Sequence, residues 1–119
     1  MTSELSGAAL DWAVANCEGL LAFGYRCEGS RFAVRCSDGR FEEFDPTNWA
    51  EGGLIIERER IYLQPEIGKE GAGNAWYAVS MYNTDAYGST PLSAAMRCYV
   101  ASKLGDEVEV PETLEKESA

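Results

Sequence analysis

The chain has 119 residues, with 20 acidic and 10 basic side chains, no histidine and a net charge of -10. A chain this acidic repels phosphate backbones and anionic lipid, so bulk nucleic-acid and membrane binding are not expected. The missing histidine excludes Ser-His-Asp and Cys-His catalysis, His-containing metal sites and histidine pH switches.

The length suits one domain able to bury roughly two-thirds of its unfolded surface. Hydrophobic residues at 45% and aromatic residues at 11% belong to a globular protein. No apolar run approaches the roughly 20 residues a membrane helix needs, and residues 1–6 lack the basic and apolar regions of a signal peptide. A cytoplasmic location is the expectation. Cys17, Cys27, Cys36 and Cys98 form no C-x-x-C pair and match no zinc spacing, so they are expected as small packing residues. Neither a metal nor a cofactor is expected.

Residues 6–18 read as a helix, capped by Ser3 or Ser6 and stopped at Gly19. Leu10, Ala13, Val14 and Cys17 share one face, which leaves Asp11 and Glu18 toward water and Trp12 off the stripe. Short β-type runs follow at 23–27 and 31–36 with a turn at 28–30. A second turn at Asp38-Gly39 lets 41–44 continue the meander. Residues 45–48 break it. A short helical turn through Trp49 and Ala50 is expected to end at Gly52-Gly53, where paired glycines permit positive φ and close backbone approach. Residues 61–63 read as a strand, 65–74 as a glycine-rich loop and 76–82 as a strand, with another loop at 83–89. Thr90 and Pro91 open a second long helix with the apolar stripe Leu92, Ala95, Met96, Tyr99, Val100 and Leu104, ending at Gly105. Residues 106–119 hold six acids and one lysine, so half of the charge imbalance lies in an acidic, mobile tail.

Three blocks carry a resemblance: LSGAALDWAVANCEG at 5–19, TNWAEGGLIIE at 47–57 and TPLSAAMRCYVASKLGDEVEVP at 90–111. In this order they resemble the NinX family of phage proteins. The family's pattern commonly has a proline after the paired glycines, where this chain has Leu54. The resemblance implies an accessory protein of a temperate tailed phage, acting in the host cytoplasm, and brings no established activity and no functional residues.

The chemistry therefore has to come from this chain. Glu42, Glu43, Glu57 and Asp85 could supply a carboxylate pair for glycosidic chemistry, but acids are frequent enough here to pair by chance. Cys98 lacks an aligned basic neighbour, because Arg97 is turned about 100° from it on a helix. The 68–74 loop looks like a phosphate loop only superficially, since a strand follows it. The Trp76, Ser80 and Tyr82 strand face reads as packing or a homodimer surface.

Trp49 with Gly52, Gly53 and Glu57 is the leading ligand-site candidate. It offers a flat apolar ring, accessible backbone N–H groups and an acceptor. Thr90 at a helix N-terminus and Arg97 add an anion subsite. The plainer alternative has Trp49 anchoring a loop and Arg97 in a surface ion pair.

These features lead to an α+β domain over residues 1–105, with two helices packed on one face of an antiparallel sheet of about four or five strands. The expected function is non-enzymatic: a phage accessory protein that sequesters a small host molecule, with a nucleotide immune signal as the ligand and counter-defence as the role. An acidic protein–protein inhibitor of a host defence or nucleic-acid-binding protein is the alternative, and an enzyme of unknown class comes last. A homo-oligomer is expected.

Overall fold

Helix α1 (Gly7–Cys17) begins where the sequence places it, and Gly19, with φ at 73°, turns the chain after its end. The stripe residues Leu10, Ala13 and Val14 are buried, but so are Ala8, Ala9, Ala15 and Asp11. A helix apolar on nearly every side is buried on nearly every side. Trp12 packs against the core, and its indole N–H is buried without a partner among the described residues. The structure, a computed structural model, describes residues 5, 7–28, 31–66, 76–105 and 107–110. The glycine-rich stretch at 68–74 lies outside them.

The meander forms as the turn signals imply. β1 (Tyr25–Glu28), β2 (Arg31–Arg35) and β3 (Phe41–Glu43) make an antiparallel sheet in the order β1-β2-β3. Cys27 pairs with Phe32, and Arg35 with Phe41. Phe32 enters the core at 1% exposure and stacks on Tyr25. At the second turn, Asp38 accepts from both the backbone and the side chain of Arg40.

The middle segment departs from expectation. Helix α2 (Trp49–Glu59) runs straight through Gly52-Gly53 and ends only at Arg60, which takes a left-handed φ of 54°. Asn48 caps it by accepting from the Ala50 amide at 2.9 Å. Two glycines cost helix stability, but burial of Ile55 and part of Ile56 against the core offsets them. The alternating charges at 57–60 are the last turn of this helix.

A second antiparallel sheet follows, β4 (Tyr62–Pro65), β5 (Trp76–Val79) and β6 (Asp85–Gly88), in that order. The strand expected at 76–82 stops at Val79. The Ser80 hydroxyl accepts from the Tyr82 and Thr84 amides, and Asn83 adopts a φ of 69°, so a turn forms where strand was expected. Tyr82 therefore leaves the supposed Trp76, Ser80, Tyr82 face, and β6 occupies the expected loop.

Helix α3 (Pro91–Leu104) matches its signals. Thr90 and Ser93 form a reciprocal capping box, and the Gly105 amide closes the far end on Ala101. Leu92, Ala94, Ala95, Met96, Cys98, Tyr99 and Val100 are buried. α3 lies against β4, β5 and β6 on one side and against α1 and α2 on another. The described residues thus form three helices and two three-stranded sheets, not two helices on one sheet of four or five strands. The α+β class holds. The extra helix is α2, which continues through the glycine pair, and it separates the two meanders into two sheets. Val108 and Val110, in the expected tail, pack against the core, and residues 106 and 111–119 of that tail lie outside the described residues. No helix among the described residues is long and apolar enough to cross a membrane.

The three helices are clamped at one end by polar contacts. Arg58 donates to both carboxylate oxygens of Glu18, at 3.0 and 2.6 Å, and to the Tyr99 hydroxyl at 3.1 Å. Tyr99 donates in turn to Glu18. Glu59 accepts from Arg58 and pairs with Lys103. Hydrogen bonds from Arg58 hold the Glu18 carboxyl below its ordinary range against the opposing effect of burial. That contribution is present at neutral pH and is lost as pH falls through the carboxylate range. Because the Tyr99 hydroxyl both accepts and donates, Tyr99→Phe is expected to cost about 1–2 kcal/mol, read as a lower denaturant midpoint with unchanged slope.

Candidate functional site

The residues singled out from sequence fall into three places. Trp49, Gly53 and Glu57 lie on successive turns of α2, with Trp49 58% exposed and Glu57 exposed. Gly52 faces the interior: a Cβ there would stand 2.1 Å from the Pro46 carbonyl oxygen and 2.7 Å from Leu92 Cδ2. It is the point where α2 approaches the loop before it and the first turn of α3. Gly52 therefore serves helix packing, and neither glycine turns the chain. Thr90 is committed to capping α3, its hydroxyl accepting from the Ser93 amide. Arg97 is committed as well. Its Nε donates to the Leu5 carbonyl at 2.7 Å and its Nη1 to the Tyr87 carbonyl at 2.9 Å, stapling the N-terminal segment and β6 to α3. It makes neither the expected surface ion pair nor an open anion subsite among the described residues.

Two adjoining hollows lie elsewhere. The larger, about 330 Å³, runs between the stretch after α1 and strands β2 and β3. Leu20, Phe23, Val34 and Phe44 give it apolar walls, and Arg35 and Glu42 line it too. The smaller, about 270 Å³, is lined by Gly7, Asp11, Phe32, Glu43, Phe44, Asp45 and Thr47. They share Glu43 and Phe44, and none of the six sequence candidates lines either one.

Asp11 is the group that sequence reasoning placed wrongly. It was expected toward water, yet it is 7% exposed and lines the smaller cavity. Burial, together with the Asp45 and Glu51 carboxylates, pushes its carboxyl up to about 7. The neighbouring acids have partners: Asp45 accepts from the amide and hydroxyl of Thr47, and Glu51 accepts from the Asp45 amide. No hydrogen bond reaches the Asp11 carboxylate from the described residues. One signal could have found it. Asp11 is the single charged residue between positions 7 and 17 of a helix that is otherwise apolar on nearly all sides.

Three of the thiols, Cys17, Cys36 and Cys98, are raised and so are poor nucleophiles. Burial pushes Cys17 and Cys98 up to about 11, and Cys98 donates to the Thr84 carbonyl. Burial raises Cys36 too, with Glu42 and Asp38 adding to the effect.

Compared with known protein families, the chain matches the one described as Bacteriophage P22, NinX, over residues 1–103, and it belongs to that family. The resemblance carried by the three sequence blocks is thereby established, and with it the phage character of the protein. Among curated proteins no match is found.

Proposed function

We propose that this chain is a non-enzymatic phage accessory protein that binds a small molecule in the host cytoplasm and withholds it, with counter-defence as the use the phage setting suggests. The supporting observation is the pair of neighbouring hollows, an apolar groove beside a polar cavity lined by a largely buried acid to which no described residue donates. Concave sites with mostly apolar walls and a few convergent polar groups are the usual form of small-molecule sites. The lack of histidine and the raised thiols weigh against nucleophilic or general-base chemistry.

A nucleotide immune signal would need a cation for its phosphates. Arg97 is occupied by carbonyls, which leaves Arg35 in the larger groove among Glu42, Glu43 and Glu51. The second reading, an acidic inhibitor of a host protein, is favoured by the outward half of α2, where Trp49 and Leu54 are 58% and 65% exposed. Exposed Tyr62, Met81 and Tyr82 offer a surface for self-association on the same grounds.

The test is to purify the protein from bacteria, denature it and identify what it releases by mass spectrometry, alongside thermal shifts with pooled cyclic and ADP-ribose-type nucleotides. A stoichiometric small molecule is the expected result. Protein that releases nothing and is unmoved by any nucleotide overturns the reading. Protein that copurifies with a basic host protein supports the inhibitor instead.

A further inference from the structure

We propose that the cavity over Asp11 is a binding site for a small organic cation of the guanidinium or amidinium type, its N–H donors meeting the Asp11 and Asp45 carboxylates. This rests on the small-molecule reading above and assigns the class of ligand.

Charge and hydrogen bonding carry the inference together. Among the described residues, the lining of the cavity holds three carboxylates, Asp11, Glu43 and Asp45, and no lysine or arginine. Gly7 brings the N-terminus of α1 to the rim, but a helix end is equivalent to about half a positive charge and fades within one turn. The field inside therefore favours a cation. Asp11 supplies the independent observation: a residue more than nine-tenths buried, lining the cavity, with no donor to its carboxylate from the described residues. A largely buried carboxylate with no protein donor is poorly compensated when charged, so a ligand that brings N–H groups to it supplies both the missing hydrogen bonds and the opposite charge.

The alternatives fit less well. Among the described residues no group of three or more acids or thiols is placed to hold a metal ion. Anions meet three like charges. The walls suit a flat delocalised cation, because Phe32 and Phe44 line the cavity and aromatic rings attract guanidinium-type groups.

Calorimetry at about pH 8 with benzamidine, its neutral isostere benzamide and the anion benzoate tests this directly. Benzamidine is expected to bind about tenfold or more tightly than benzamide, with benzoate silent. Asp11→Asn should weaken benzamidine about tenfold while keeping a native circular dichroism spectrum, and Glu43→Gln, on the exposed rim, should weaken it to a lesser degree. Equal binding of benzamidine and benzamide, undiminished binding by Asp11→Asn, or no benzamidine binding at millimolar concentration overturns the proposal.

Agmatine and a capped arginine tripeptide separate the sources of the cation. Tighter agmatine binding supports a free metabolite. A tripeptide that binds at least as well keeps the cation site but turns the small-molecule reading into one of protein recognition. If denatured protein releases an anionic molecule instead, the cation proposal fails while the small-molecule reading stands.

Discussion

Gly52→Ala is expected to destabilise the protein by about 2–3 kcal/mol, while Gly53→Ala, one residue on, stabilises it by about 0.5–1 kcal/mol. The two changes remove the same intrinsic helix penalty, since alanine is favoured over glycine by about 1 kcal/mol inside a helix. They differ in what the new methyl meets. At Gly52 it would stand 2.1 Å from the Pro46 carbonyl oxygen, a backbone atom that cannot rotate away, and 2.7 Å from Leu92. Either α2 shifts from the loop before it or its contact with α3 opens. At Gly53 the methyl would lie 3.5 Å from Trp49 Cε3, an ordinary contact. Urea titrations of the two variants measure the difference. Equal loss in both would mean that the glycines turn the chain as the sequence pattern first suggests, and would contradict the continuous α2 helix.

Asp11→Asn has the second large expected effect, and it depends on pH. The carboxyl rises from an unfolded value of about 3.9 to about 7 in the fold. A raised folded value means that the native state favours the protonated form. Its stabilising contribution is complete below about pH 4, declines as pH rises toward 7, and above 7 leaves the full cost of a buried carboxylate. Three units correspond to about 4 kcal/mol at most, so asparagine, which cannot ionise, should stabilise the protein by about 2–4 kcal/mol at pH 8 and by little at pH 4. In Tm this is a gain on the order of 10 °C at pH 8. Subtracting wild type from variant cancels Glu18, Glu59 and Asp38, whose carboxyls are lowered and titrate in the opposite sense. A Tm difference independent of pH would show that Asp11 is solvated. The gain is also the cost that a bound cation would relieve in the wild-type protein, which links stability to function at this residue.

The elements that could be recognised from sequence are those in which local chemistry and tertiary packing agree. Thr90-Pro91 and Gly105 bound α3 because cap and stop residues act on the backbone beside them. Asp38-Gly39 marks the β2–β3 turn for the same reason. The errors arose where a long-range contact overrides a local preference. Gly52-Gly53 looks like a stop, but at Gly52 the missing side chain is what lets Pro46 and Leu92 come close. Ser80 looks like the middle of a strand until its hydroxyl takes the amides of Tyr82 and Thr84.

The candidate site followed the same rule. Arg97 stood out as a rare cation, but its use depends on carbonyls ten and ninety-two residues away. The strongest apolar stripe of α1 points Asp11 outward, whereas the apolar positions around the rest of that helix bury it. The opening charge also takes on local meaning. The carboxylates Asp11, Glu43 and Asp45 gather around one cavity.

The most direct test of Asp11 as the recognition group is a carbon-detected NMR titration of its side-chain carboxyl between about pH 3 and 9, with and without benzamidine. The expected midpoint is near 7 in the free protein, moving down by about one unit or more when the cation binds. A midpoint near 4 in the free protein, or one that benzamidine does not move, would contradict it.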